Sequence, residues 1–221
     1  MTQTIRLIVF DWDGTLMDSE AHIVACMRAA GTDLGLASLD DRAFRDVIGL
    51  GLMEAIETLY PFSGLKVHRA FADRYRHHFL SENRESSMFF SGALELVRDL
   101  RHRGMLLGIA TGKSRRGLDR VLAEQDCASL FHATRCADET FSKPHPKMLI
   151  EIMEELGVDP SETVMVGDTE YDLQMAKNAG VGAIGVSYGV HDRERLLQFQ
   201  PLVCIDNVQD LTAWFDSYAI A

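Results

Sequence analysis

The sequence predicts an α/β fold: a doubly wound parallel sheet with a small all-helical cap domain inserted after the first strand. Three observations carry this. From about residue 91 to 190, short continuous apolar runs alternate with stripes of helical period, the rhythm of a parallel sheet covered on both faces. The first apolar run, Ile5–Phe10, is separated from the rest by a long segment with helical stripes and no convincing strand. Two of the runs end in carboxylates, Asp11 and Asp168, and open α/β sheets bind ligands at the C-terminal ends of their strands.

The elements follow in order. Ile5–Phe10 is the first strand. Between Met17 and Ser87, three stripes mark helices: Ile23, Val24 and Met27; then Leu52, Ala55, Ile56 and Leu59; then Val67, Ala70, Phe71 and Tyr75. Each recurs at the three-to-four-residue spacing of one helix face. The polar stretch Ser81–Ser87 reads as the return linker. Leu96, Val97 and Leu100 form the next stripe, stopped at Gly104, where a glycine can adopt the left-handed helix-ending conformation. Leu106–Ala110 is a strand, and Leu118, Val121 and Leu122 form a helix. Ala133–Cys136 is a weaker strand. A helix over Met148–Leu156 opens with Pro146 in its first turn and closes at Gly157. Val164–Val166 and Ala183–Val186 are strands, Leu202–Ile205 a weaker one, and Trp214 and Phe215 anchor a last helix. The expected domains are 1–16 with 88–221 as core, and 17–87 as cap.

Composition narrows the function. With 221 residues, 47% hydrophobic and 25% charged, the chain is neither disordered nor fibrous and can bury a core without staples. It carries 22 basic against 33 acidic residues, a net charge of -11. Such a balance lacks the field that draws proteins to nucleic acid or anionic lipid, although Arg115-Arg116 could hold one small anion. Cys26, Cys127, Cys136 and Cys204 form no C-x-x-C pair and read as core thiols of a cytoplasmic protein. Arg6 interrupts the short N-terminal apolar run, so no secretory leader is expected. No stretch approaches the roughly 20 apolar residues of a membrane span.

Four places carry chemistry. Asp11-Trp12-Asp13-Gly14-Thr15 puts two carboxylates at i and i+2 on a strand end, where they tend to point the same way. Close carboxylates repel unless a cation neutralises them, which suggests a hard, oxygen-loving ion such as Mg²⁺. A turn built from Asp and Gly explains the same residues without chemistry. Asp168 and Asp172, in Gly167-Asp168-Thr169-Glu170-Tyr171-Asp172, form a second acidic strand end, or a helix N-cap with a solvated acid. Thr111-Gly112-Lys113-Ser114 looks like the tail of a nucleotide-binding P-loop. That motif requires glycine at position 107, which is leucine. What remains is a hydroxyl and backbone N–H groups at a helix start, an anion cradle or an ordinary capped loop. Lys143-Pro144-His145-Pro146 holds a lysine on a stiff chain, unless it is a plain surface lysine.

Together and in this order, the four resemble the motifs of the haloacid dehalogenase superfamily, in its phosphatase branch. Asp11 to Thr15 matches D-x-D-G-T; Thr111 matches the second motif; Lys143 matches the third, in K-P-x-P; Asp168 and Asp172 match G-D-x-x-x-D. Lys177-Asn178-Ala179-Gly180-Val181 resembles the helix end that follows. Trp12 and Ser91 replace the usual Phe and Pro, away from any catalytic role. Arg45 to Gly51 is similar to the cap loop of phosphoglycolate-phosphatase-like members.

The resemblance implies a Mg²⁺-dependent phosphatase of a small phosphorylated metabolite. In it, Asp11 is the nucleophile and forms an aspartyl-phosphate, and Asp13 is the acid and then the base. The Asp11 carboxylate, the Asp13 backbone carbonyl and Asp168 hold the metal. Thr111, Gly112 and Lys143 hold the phosphoryl oxygens, and Asp172 orients the metal shell or Lys143. Arg45 is a candidate for pairing with a second anionic group of the substrate. A sugar-phosphate mutase, an inorganic pyrophosphatase and a catalytically silent scaffold are the alternatives. No nucleic-acid or membrane partner is expected, and the chain is a monomer or homodimer.

Overall fold

The computed structural model describes residues 5–81 and 88–217. A six-stranded parallel sheet is made of β1 (Leu7–Phe10), β4 (Leu106–Thr111), β5 (Ala133–Cys136), β6 (Thr163–Gly167), β7 (Gly182–Val186) and β8 (Val203–Ile205), in the order β5-β4-β1-β6-β7-β8. The chain steps outward from β1 through β4 to β5, crosses back, and continues on the other side from β6. The strand order therefore reverses beside β1. Such a switch point leaves a crevice at the strands' C-terminal ends.

β1 shows why the apolar runs do not alternate. Ile8 and Phe10 face one layer, with Leu96, Val97 and Leu100 of α5 (Ala93–His102), Leu118 and Leu122 of α6 (Arg115–Glu124) and Phe215 of α10 (Val208–Ser217). Leu7 and Val9 face the other, with Met148 and Ile152 of α7 (Lys147–Leu156), Leu173 of α8 (Glu170–Ala179) and Leu196 of α9 (Arg193–Leu197). All four β1 side chains are fully buried, each contributing about 1.5–3 kcal/mol relative to exposure. The predicted strands lie within a residue or two of these. Pro146 precedes α7 as its N-cap and Gly157 ends it with φ +62; Gly104, φ +83, follows α5.

The inserted segment is helical, as expected: α1 (Glu20–Asp33), α2 (Asp41–Asp46), α3 (Leu52–Leu59) and α4 (Leu65–Ser81). These helices enclose their own apolar cluster around Ile23, Met27, Phe44, Ile56 and Phe71, against which Val190 of the core packs. One element departs from expectation. Met17–Asp18 (β2) and Met88–Phe89 (β3) pair antiparallel, Met17 opposite Phe89 and Asp18 opposite Met88. Two-residue strands leave no periodicity to read. Most of the Ser81–Ser87 linker lies outside the described residues. All four cysteines are buried, and among the described residues no helix is long and apolar enough to cross a membrane.

Candidate active site

The site is assembled from the ends of β1, β4 and β6 and the loop after β5. Asp11 follows β1 and is buried. Its backbone N–H donates to the Val166 carbonyl of β6 (2.9 Å), which locks the β1 end against the neighbouring strand. Lys143, wholly buried, approaches with Nζ 2.6 Å from Asp11 Oδ1 and 2.6 Å from Asp172 Oδ1. It lies on the turn between β5 and α7, where the Lys143-Pro144 peptide is cis. The reading of Lys143 as a plain surface residue is thereby replaced.

Asp172 is held in turn. Its Oδ2 accepts the Thr169 backbone N–H (3.1 Å) and the Thr169 hydroxyl (2.6 Å). It is the third residue of α8, so one carboxylate serves both the helix start and the lysine. Asp168 follows β6. Thr15 Oγ1 donates to its Oδ1 (2.9 Å) and the Val190 N–H to its Oδ2 (2.8 Å). Gly14 is obligatory beside it: φ is +82, and a Cβ there would lie 2.1 Å from Asp168 Oδ2.

Asp11, Asp168 and Asp172 offer carboxylate oxygens within 4.8 Å of one another, all buried. Their charges are costly there. Burial pushes the Asp11 carboxyl up to about 7, with Lys143 pulling it down and Asp172 pushing it up further. Burial, then Asp11 and Asp172, push Asp168 well above the usual carboxylate range. Burial pulls the Lys143 ammonium down, but the two flanking carboxylates outweigh it and hold it protonated. Three carboxyl groups share one ammonium in this pocket of hard oxygen donors, which a bound cation would let ionise, and Asp11 Oδ2 has no hydrogen-bond partner. That donor set fits a Mg²⁺-type ion. Asp13 is not in this cluster: its side chain turns to Ser19, whose hydroxyl donates to Oδ1 (2.6 Å), and to Lys113, whose Nζ is 2.9 Å from Oδ2.

Thr111 and Gly112 close β4. The Lys113 N–H donates to Thr111 Oγ1 (3.2 Å), which leaves the hydroxyl proton free to donate. Gly112 lies under the cap: a Cβ on it would stand 2.3 Å from the Leu50 carbonyl oxygen. The Gly51 N–H donates to Ser142 Oγ (2.7 Å), so the cap loop rests on both the β4 and β5 loops. Between cap and core is a cavity of about 320 Å³. Its floor includes Asp11, Asp13, Thr111, Gly112 and Lys113, and its cap wall includes Ile23, Met27, Leu50, Tyr75 and Phe79.

The structure thus brings Asp11, Asp13, Thr111, Gly112, Lys143, Asp168 and Asp172 to one place. It does not bring Arg45 there. Arg45 lies in the last turn of α2, is half exposed, and pairs with Glu20 of α1, outside the cavity wall. The Gly49–Gly51 loop that follows it does reach the cavity. Arg115 is spent on Glu139 and Asp119, whereas Arg116 lines the cavity. Sequence reading missed Ser19, Lys113 and Phe79. Ser19 carried a faint signal as a hydroxyl just before a helix; Lys113 stood in view beside Thr111, but its partner is 100 positions away.

A family model described as haloacid dehalogenase-like hydrolase matches residues 8–186. Among curated proteins, "Probable phosphatase IndB" of Dickeya dadantii is 35% identical over 211 residues, 93% of this chain and 91% of that protein. The N-acetylmuramic acid 6-phosphate phosphatase of Pseudomonas aeruginosa is 27% identical, covering 94% and 93%. The phosphoglycolate phosphatase of Agrobacterium fabrum is 28% identical, covering 93% and 90%. A hydrolase from Pseudomonas syringae superposes with a TM-score of 0.87 at 20% identity, covering 97% and 98%. A haloacid dehalogenase-like family hydrolase from Streptococcus pneumoniae gives 0.82 at 21%, covering 96% and 98%. These two share the fold.

Proposed function

From the premise that this chain belongs to the haloacid dehalogenase-like hydrolases, as a phosphatase of that family, we propose that it hydrolyses a small phosphorylated metabolite through an aspartyl-phosphate on Asp11, with Mg²⁺ as its metal. The observation that carries this is the state of Asp11: a buried carboxylate, one oxygen against Lys143 and the other without a hydrogen-bond partner, on the floor of a cavity. A structural carboxylate would have both oxygens satisfied.

The residues divide the work. The Asp11 carboxylate attacks phosphorus, forming the new P–O bond as the ester P–O bond breaks. Asp13 gives its proton to the departing alkoxide, then takes one from the water that attacks the acyl phosphate. The Thr111 hydroxyl, the Gly112 N–H and Lys143 hold the phosphoryl oxygens where charge builds. Lys143 also opposes the protonation of Asp11 that burial favours and aims its carboxyl group, and Asp172 fixes Lys143 from behind. The Asp11 carboxylate, the Asp13 backbone carbonyl and Asp168 would hold Mg²⁺, which when bound neutralises the carboxylates and draws charge from the phosphoryl group. Four buried cysteines, none in a C-x-x-C pair, favour a reducing, cytoplasmic setting.

The cavity bears on the substrate. Phosphoglycolate carries its carboxylate one methylene from the ester oxygen, and Arg45, the residue proposed to meet it, is engaged with Glu20. Above the phosphate floor the cap wall is mostly apolar, with Glu54 and Arg76 as its charged members, and about 320 Å³ lies within the roughly 300–1,000 Å³ of cavities that enclose drug-sized ligands. The volume favours an alcohol with a ring-sized or branched body over a two-carbon acid. The test is a panel of phosphate monoesters and pyrophosphate with Mg²⁺. Higher kcat/KM on bulky esters than on phosphoglycolate is the expected result. The reverse order would overturn the substrate reading, and no turnover of any monoester would overturn the phosphatase.

A further inference from the structure

We propose that Lys113 is a positioning residue for proton transfer, holding the Asp13 carboxylate toward the leaving alcohol, and that Phe79 of the cap holds Lys113. This rests on the reading of Asp13 as the acid and base. Both Asp13 oxygens are tied: the Ser19 hydroxyl donates to Oδ1 at 2.6 Å and Lys113 Nζ lies 2.9 Å from Oδ2. Ser19 alone fixes one oxygen and leaves the carboxylate free to pivot. The second contact sets the plane.

A lysine is a poor clamp unless its own flexible stem is restrained. Here it is. The Lys113 side chain is 9% exposed and that of Asp13 13%. The Phe79 ring covers the ammonium, with Nζ 4.8 Å from the ring centroid, a cation–π contact in a largely dry setting. Phe79 is itself fixed by ring contacts with His22 (4.8 Å) and Tyr75 (5.6 Å). Phe79 belongs to α4 of the cap, whereas Lys113 and Asp13 belong to the core. The cap must therefore be seated for the clamp to be complete. Lys113 also directly follows Thr111 and Gly112, so one loop carries both the phosphoryl donors and the clamp on the acid.

The clamp matters only where the leaving group needs a proton. The test compares kcat/KM, which ends with departure of the alcohol, on two esters: p-nitrophenyl phosphate, whose phenolate leaves unaided, and cyclohexyl phosphate, whose alkoxide does not. Proton transfer by a positioned group contributes on the order of 10²–10⁴-fold. Lys113→Met should lose about 10- to 100-fold on cyclohexyl phosphate and no more than about threefold on p-nitrophenyl phosphate. Phe79→Leu should show the same asymmetry at smaller size, and serves if Lys113→Met fails to fold. Lys113→Arg should recover part of the loss. In an Asp13→Asn background, Lys113→Met should cost nothing further on cyclohexyl phosphate. Equal losses on both esters, raised KM on both, additivity with Asp13→Asn, or no loss would each overturn the clamp. If Asp13→Asn itself shows no asymmetry, the acid–base reading fails first, and the two failures are told apart.

Discussion

Asp11 is the residue on which both electrostatics and chemistry turn. Replacing it by Asn removes one of three clustered carboxylates and the only group proposed to bond to phosphorus. Asp11→Asn should lose turnover on the order of 10⁴-fold or more, as members of a catalytic unit do. Its fold, followed by far-UV circular dichroism, should be kept. The metal gives a readout independent of turnover. Anything that binds the folded state alone raises its stability by mass action, so Mg²⁺ should raise the melting temperature of the wild type and do so much less for Asp11→Asn or Asp168→Asn. A chelator should abolish activity, and Ca²⁺ should not restore it, since it prefers more ligands at longer distances. Full activity in excess chelator, or an equal Mg²⁺ shift in all three proteins, would refute the metal assignment. Arg45 teaches the opposite lesson at the same scale. Its neighbours in sequence pointed toward the substrate, but Glu20, 25 positions earlier, captures it on the surface.

Secondary elements carry a separate, pH-dependent contribution at the β4–β5 edge. The Leu107 N–H of β4 donates to His132 Nδ1 (3.0 Å), and the His132 N–H donates to the Leu107 carbonyl (2.8 Å). Protonation would turn that acceptor into a donor. Burial and the nearby Arg101 lower the His132 pKa below its ordinary value. A histidine depressed on folding stabilises the folded state above its unfolded pKa, about 6.5, and loses that contribution as the pH falls. Chemical unfolding should therefore show wild-type stability declining more steeply than that of His132→Asn between about pH 7 and 5; parallel curves would exclude the effect. Such elements were largely legible beforehand because β1, β4, β6 and β7 are buried on both faces and read as unbroken apolar runs. The β2–β3 ribbon was not, because two residues show no period. Nor were the Ser19, Lys113 and Phe79 contacts, because only the tertiary fold places α4 over the β4 loop. The Asp11, Thr111 and Asp168 motifs were legible because each sits at the end of a strand whose pattern was clear, and Lys143 through the two prolines that stiffen the loop after β5.

At the scale of the whole molecule, cap and core also meet through polar contacts outside the cavity. Arg195 of α9 pairs with Asp46 of α2 at 2.7 Å and with Glu170 of α8 at 2.7 Å, and the Tyr171 hydroxyl donates to the Asp46 carbonyl (2.7 Å). A partly exposed pair of this kind contributes about 0.2–1 kcal/mol. Arg195→Ala removes two such pairs and should therefore lower the melting temperature by less than about 8 °C. If the Arg195–Asp46 contact helps seat the cap over its substrate, KM should rise up to about fivefold, the same free energy seen as binding. An unchanged KM would mean the contact does not govern seating. The β2–β3 ribbon has a broader consequence. The chain leaves the core and returns to it on hydrogen-bonded neighbours, Met17 opposite Phe89, about 5 Å apart as in any antiparallel pair. Those two ends are already spaced for a two-residue hairpin turn. Closing a loop costs little more as the loop lengthens, so the junction is nearly indifferent to what is spliced between its strands. The insert could be shortened to a tight turn or exchanged for a longer one without shifting the register of the sheet, which makes this point of the chain a socket into which evolution or an engineer can plug a different specificity.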